Sequence, residues 1–382
     1  MKKLIYAVAA AALTAISLGS CGNGRSHCDE NDSLLVDAAR FDTVVDGKQV
    51  SLYTLGSDTG LQVQVTNYGL RVVSIIVPDR EGRRGDVAIG YGSIAEYLDN
   101  PGERFLGCIV GRYANRVAGG RFSIDGMDYQ LPLNDNGQTL HGGLKGLDCH
   151  VWTVDSVAPT MARFSYTSPD GDEGFPGEMK LSVVYSVLPG NEFEIQYAAT
   201  TDKPTHINLS NHAFFNLAGE GNPVAGHEVT ILASNYTPVD SVLIPTGEIA
   251  TVESTPLDFR TAHAIGERVE SDFSQIALGH GYDHNWVLDS VGARQPSAIV
   301  YEPVSGRQME VITDQPGLQF YGGNFFNGAA VGKHGNPIAW REAFAMEAQH
   351  FPDSPNHPQF PSTLLMPGET YTQTTVYRFS VR

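Results

Sequence analysis

Between Leu61 and Val381 the chain keeps returning to short runs in which apolar and polar side chains alternate, each run closed by Gly, Pro, Asn or Asp. Leu61-Gln62-Val63-Gln64-Val65-Thr66 is the plainest case. Arg71–Val77, Met179–Val187, Glu192–Thr200, Glu228–Leu232, Met309–Thr313 and Thr370–Val381 read the same way. A period of two sends successive side chains to opposite faces of an extended chain, so each run predicts a half-buried strand. Between them, Pro78–Gly82, Ser168–Gly171 and Leu188–Asn191 supply the fixed or positive φ values that turns require. Helical patterns are short, the best being Ser93–Leu98 and Ala262–Val269. Helices do not alternate with the strands, which disfavours a parallel doubly wound sheet. The pattern predicts an all-β chain forming one large antiparallel domain with few short helices. The loops Gly111–Arg116, Asn134–Gly143, Asn208–Gly219, Gly279–Trp286 and Glu347–His357 gather the polar residues suited to a site.

Composition narrows what such a domain would bind. At 41% hydrophobic and 18% charged over 382 residues, the chain can bury a sizeable core. It carries 25 Lys+Arg against 43 Asp+Glu, a formal charge of −18. That charge repels nucleic acid and anionic membrane surfaces and leaves a small neutral molecule as the expected partner. Four cysteines are too few for a disulfide scaffold. Cys108 and Cys149 are available to pair in an oxidising compartment, a question the spacing leaves open.

The first 20 residues read as an address. Met1–Ser20 has two lysines, an apolar run and then small residues, the form of a cleaved secretory signal. Leu18-Gly19-Ser20-Cys21 resembles the lipobox of bacterial lipoproteins, in which Cys21 would become the lipidated first residue. An ordinary cleaved signal is the plainer alternative. Residues 21–40 read as a flexible tether and 41–382 as the folded domain. The protein is therefore expected to be exported and lipid-anchored in the bacterial envelope, on its periplasmic or surface side, touching membrane only through that anchor.

Within the domain, five places carry chemistry. His141-Gly142-Gly143 sets an imidazole beside glycines that would let backbone approach a ligand. His212 sits in Asn208-Leu209-Ser210-Asn211-His212-Ala213-Phe214-Phe215-Asn216, a proton donor among carboxamides and aromatics, or equally a core histidine satisfied by them. Asp283, in Gly281-Tyr282-Asp283-His284-Asn285-Trp286, suits recognition of a hydroxyl-rich ring, or a local turn. Glu347 interrupts the apolar run Ala343-Phe344-Ala345-Met346-Glu347-Ala348. An acid in such a run is paired, working or on an exposed strand face. Arg112 and Arg116 could hold hydroxyls or form surface ion pairs. Neither GxGxxG nor GxxxxGK[ST] occurs, and no His/Cys spacing marks a metal. No cofactor and no metal are expected.

Taken in order, Ile109–Val117, Asn136–Gly143, Asn208–Gly219, Gly281–Asn285, Gly317–Asn324 and Met346–Asn356 resemble the signature segments of the aldose 1-epimerase (galactose mutarotase) family. The resemblance covers the body from Phe41 to Arg382. It implies a galactose-mutarotase-like β-sandwich that interconverts the α and β anomers of a free aldohexose such as galactose or glucose, as a monomer or homodimer. Residue by residue it makes Glu347 the general base and His212 the general acid. It makes Asn115, Arg116, His141, Asp283 and Gln319 sugar contacts, with the backbone near Ala213 and Phe214 in the same pocket. The chain has Val117 where Ile is frequent, and Ala213-Phe214-Phe215 where Ser-Tyr-Phe is often seen; neither removes a polar catalytic group. Two alternatives keep the same scaffold: a silent sugar-binding lipoprotein, and a glycosidase using Asp283 and Glu347 as its carboxylate pair. A hexose-6-phosphate epimerase would want more cations at the pocket than one Asn-Arg motif offers.

Overall fold

A computed structural model describes residues 34–292 and 295–382; Cys21, Cys28 and the leader lie outside them. Three sheets dominate, and their named strands pair antiparallel throughout, as the alternating runs predict. A nine-stranded sheet runs in the order Thr153–Ala158, Met161–Ser168, Met179–Leu188, Glu192–Thr201, Tyr371–Val381, Arg307–Thr313, Ala298–Tyr301, Glu228–Ile231, His263–Ala264. A seven-stranded sheet runs Ala250–Thr251, Asn235–Thr237, Asp283–Val287, Gly317–Tyr321, Phe344–Gln349, Phe214–Phe215, Ala88–Ile89. The third is four-stranded, from Leu52–Gly56 to Arg84–Asp86.

The two large sheets face each other across an aromatic core. Tyr377 of the nine-stranded sheet lies 4.9 Å from Phe215 of the seven-stranded one, ring centre to ring centre, and its hydroxyl donates to the Met346 carbonyl at 3.1 Å. Phe320, Phe344 and Trp286 continue the layer. This is the expected all-β sandwich.

Each expected strand is present, most of them within two residues of the expected ends. Ile94–Asp99 is the first helix, with Ser93 as its cap accepting from the Glu96 amide. The second shrinks to Ile265–Arg268, because His263–Ala264 is drawn into the edge of the large sheet. A third, Ser274–Gly279, has no sequence counterpart above. All five expected loops hold strand residues, most of them in two-residue strands; Asp283 opens the longer Asp283–Val287, and Glu347 lies inside Phe344–Gln349. In the stretch read as a tether, residues 34–40 lie against the body. Val36 donates to Gln64 Oε1 and accepts from Gln64 Nε2, at 2.8 and 2.9 Å. Cys108 and Cys149 are both free thiols.

Phe344–Gln349 positions the site. Phe344, Met346 and Ala348 point into the core between the large sheets. The alternate residues Ala345, Glu347 and Gln349 point the other way, and all six are buried. Glu347 does lie on the face away from the main core, as an outward strand position should. That face is covered, however, and Glu347 is only 2% exposed.

Candidate active site

Over that face opens a cleft of about 120 Å³. Glu347, His212, His141, Asp283, Arg116 and Asn115 all line it. Five separate chain regions converge here, and each is fixed by local pairing.

His212 follows the short strand Ser210–Asn211, which pairs with Ile109–Val110. Its own N–H donates to the Cys108 carbonyl at 2.8 Å, and its carbonyl accepts from the Gly107 N–H at 2.9 Å. The backbone that carries the imidazole is thus anchored from both sides. Its Nε2 stands 3.5 Å from Glu347 Oε1, while His212 Nδ1 and Glu347 Oε2 have no hydrogen-bond partner. Unpaired buried polar atoms are costly and mark positions awaiting a partner.

His141 stacks edge-on against His212, with 5.1 Å between ring centres. Its Nδ1 accepts the Asn115 N–H at 3.1 Å, and its own N–H donates to the Asn115 carbonyl at 3.0 Å. An accepting Nδ1 puts the ring proton on Nε2, so His141 is a donor there. The two glycines after it serve a different purpose from the one read in the sequence. A Cβ on Gly142 would lie 1.9 Å from the Gly111 carbonyl oxygen, and one on Gly143 2.4 Å from Glu173 Oε2. They let the chain approach itself and not a ligand.

Arg116 pairs through the strand Arg116–Val117 with Thr139–Leu140, and its Nε donates to Asp135 at 2.8 Å. Arg112 departs from expectation. It is buried away from the cleft, giving hydrogen bonds to Ser168, Pro169 and Pro176. It is neither a sugar contact nor a surface ion pair. Asp283 accepts from Gln319 Nε2 at 2.7 Å. Gln319 itself does not line the cleft; it sits beside Glu347 in the strand register and holds Asp283. Ala213 and Phe214 also stand back from the cleft. Phe214 packs behind His212 at 4.8 Å, in the smaller core with Tyr321 and Phe326.

Glu103, Phe105, Leu140, Tyr321 and Phe325 complete the walls. Tyr321 fell within a quoted motif but was given no role. Glu103 and Phe105 come from a loop without a motif, their one signal being an acid and a Phe just ahead of Cys108.

Burial governs the charges. It pushes the Glu347 carboxyl well above the ordinary carboxylate range, with Asp283 adding to the rise and Arg116 opposing it. It draws His212 down to about 3 and His141 well below an ordinary imidazole. Asp283 is raised by burial, against Arg116 and the Gln319 hydrogen bond. Burial therefore favours a neutral imidazole beside a protonated Glu347. The base and acid roles that the family resemblance implies need an ionised Glu347 and a protonated His212. The two descriptions contain the same single proton, placed on opposite sides of the 3.5 Å contact.

Among the described residues, one trio of ligating groups converges enough to hold a cation: His141, His212 and Glu347, within 4.8 Å. The Asn115 amide argues against that use, since it occupies the Nδ1 lone pair of His141 and leaves the proton on Nε2.

Residues 51–378, which include every cleft residue named above, match the family model described as aldose 1-epimerase. The chain is 44% identical over 336 residues to galactose mutarotase of Rattus norvegicus, covering 88% of this chain and 95% of that one. It is 36% identical to aldose 1-epimerase of Escherichia coli K12, covering 87% and 96%. Among solved structures, galactose 1-epimerase from Lactobacillus acidophilus superposes with a TM-score of 0.77 at 32% identity, covering 89% of this chain and 97% of that one. On its fold, its cleft and these relatives, the chain belongs to the aldose 1-epimerase family.

Proposed function

We propose that this cleft interconverts the α and β anomers of a free aldohexose, galactose or glucose, with Glu347 as base and His212 as acid. The observation that carries the reading is the buried Glu347–His212 contact, each group still holding an unpaired polar atom in a cleft lined by hydroxyl-binding side chains. Glu347 takes the proton from the C1 hydroxyl as the C1–O5 bond breaks and O1 becomes the carbonyl oxygen. His212 gives its proton to O5. Rotation about C1–C2 presents the other carbonyl face. The steps then reverse: His212 recovers the proton from O5, and Glu347 returns its proton to O1. Hydroxyls of the bound sugar supply hydrogen bonds that the empty pair lacks, which favours the charged arrangement needed for the first step. Asp283, Arg116, Asn115 and His141 Nε2–H hold the remaining hydroxyls, and Gln319 fixes the Asp283 carboxylate.

Polarimetry on fresh α-D-galactose and α-D-glucose tests the reaction. Acceleration over buffer is expected; a rate equal to buffer would identify a silent sugar binder. Release of reducing sugar from aryl glycosides would point to a glycosidase instead. The pair also sets a pH profile. The working state has one proton between the two groups, lost above the raised Glu347 value and exceeded only near the His212 value of about 3. Activity is therefore expected to persist as the pH is lowered to about 5, well above the His212 value of about 3. A fall on acidification centred near the ordinary imidazole value would show His212 titrating without the burial shift.

For location, the lipobox-like Leu18–Cys21 supports an anchored, exported enzyme, and no helix among the described residues is long and apolar enough to cross a membrane. Cys21→Ser is expected to move the protein from the membrane fraction to the soluble one. Retention in the membrane fraction would reject the anchor.

A further inference from the structure

Glu103 is the one carboxyl group of the cleft wall that the anomerising steps leave without a role. Its Oε1 accepts the Phe105 N–H at 2.9 Å, and its Oε2 has no hydrogen-bond partner among the described residues. The loop that presents it is fixed on both sides. The Tyr91 hydroxyl donates to the Glu103 carbonyl at 3.4 Å, and Arg71 donates to the carbonyls of Arg104 and Leu106 at 2.9 Å each. Arg104 gives Nε and Nη2 to Asp148, at 2.8 and 2.9 Å.

Those two guanidinium groups are committed to Asp148 and to backbone, and neither pairs with Glu103. Arg116 is likewise tied through Nε to Asp135. In and behind the cleft walls, Arg71, Arg104 and Arg116 thus face the carboxyl groups of Glu103, Asp135, Asp148, Asp283 and Glu347. With His141 and His212 held neutral by burial, the acids outnumber the cations. Burial lifts the Glu103 carboxyl above its ordinary range, with Arg71 and Arg104 opposing. Glu347, 2% exposed, keeps Oε2 unpartnered in the same space. A cation entering this setting meets carboxyl groups that ionise on its arrival, and a charge-assisted hydrogen bond is about twice as strong as a neutral one.

The reaction geometry selects the cation. C1 of the bound sugar lies at Glu347. Burial raises both Glu347 and the Tyr321 hydroxyl, and Asp283 and Glu103 add to each rise, so the field of Glu103 reaches the reacting end of the cleft. The substituent on C2, the carbon next to C1, lies within that field. An ammonium group there replaces a hydroxyl of similar size, so the ring keeps the pose that Asp283, Arg116 and His141 give it. We propose that the cleft also anomerises 2-amino-2-deoxyaldoses, free hexosamines such as glucosamine, with Glu103 as the specificity-determining residue that takes the ammonium group. The proton steps are those given above, and the ammonium group keeps its protons throughout. The inference rests on the reading of the cleft as the anomerising site and adds a cationic class of substrate to the neutral hexoses.

The test compares fresh α-D-glucosamine hydrochloride with α-D-glucose, which differ only at C2, for the wild-type enzyme and Glu103→Gln. At about pH 6, where the amine is charged, wild type is expected to use glucosamine with kcat/KM at least equal to that for glucose. Glu103→Gln is expected to lower the ratio of the glucosamine to the glucose value about ten- to hundredfold. An amine of this kind loses its proton near about pH 8, as an α-amino group does, so the wild-type ratio should also fall between about pH 6 and pH 9. Wild-type enzyme active on glucose but not on glucosamine overturns the assignment and leaves the cleft reading standing. So does a ratio that Glu103→Gln leaves unchanged, which would make Glu103 a wall or a hydroxyl contact. Enzyme inactive on both sugars overturns the cleft reading as well, and the hexosamine assignment with it.

Discussion

Glu347→Gln is expected to lower kcat for anomerisation by about 10²–10⁴-fold while the affinity for galactose stays within about threefold. The amide keeps the size of the carboxyl and fits the same covered strand face, so the cleft walls provided by His141, Asp283, Arg116 and Tyr321 are undisturbed. What disappears is the ability to take the C1 hydroxyl proton. His212→Asn removes the other end of the relay and should cost a similar factor. Because the two groups act on one proton, the double variant is expected to lose little beyond either single change. Uncatalysed mutarotation sets the floor, so the measurement is the excess over buffer at several enzyme concentrations, with binding followed separately by calorimetry. Normal turnover by Glu347→Gln would remove Glu347 from the base position.

Asp148→Ala is expected to cost about 3–5 kcal/mol of stability, because it takes the carboxylate partner from the buried Arg71 and the half-buried Arg104. Asp148 is fully buried. It accepts from Arg104 Nε and Nη2 at 2.8 and 2.9 Å, and Arg71 Nη2 lies 3.8 Å away. Arg71 in turn donates to the carbonyls of Arg104 and Leu106, at 2.9 Å each. Taking about 2.1 cal/mol/K of unfolding entropy per residue, the melting temperature should drop by about 4–7 °C. The effect reaches the cleft as well. Arg104 lies over the Phe105 ring at 4.9 Å, and that ring is 4.6 Å from His141. Loss of the carboxylate frees the wall formed by Glu103 and Phe105, so KM should rise more than kcat falls. An unchanged melting temperature would mean that water or another group satisfies both guanidinium groups.

The nine-stranded sheet was the legible half of the fold. Its long strands, such as Glu192–Thr201, keep one face towards solvent and so alternate visibly. The seven-stranded sheet was harder to read because Phe344–Gln349 and Gly317–Tyr321 are buried on both faces, which erases the alternation. Two-residue strands such as Ala88–Ile89 and Phe214–Phe215 are too short to show any period. In the site, His212, Glu347, His141, Asp283, Asn115 and Arg116 were found through their motifs, and they converge in one cleft. Glu103 and Phe105 were not, since partners distant in the chain, the Asp148 carboxylate and the His212 carbonyl among them, bring their loop to the wall. Gln319 and Phe214 also lie inside motifs; the first holds Asp283 and the ring of the second packs behind His212.

The strand that bears Glu347 is wedged between two cores, whereas Phe325 and Trp340 ride on the connection leading into it. The proton relay and one wall of its cleft thereby sit on parts of the molecule that can change independently. Rebuilding the stretch between Tyr321 and Phe344 offers an engineer a route to new reducing sugars with the proton relay left in its original setting. Laboratory evolution for altered sugar range should accordingly gather its accepted changes in that connection and leave Phe344–Gln349 almost untouched.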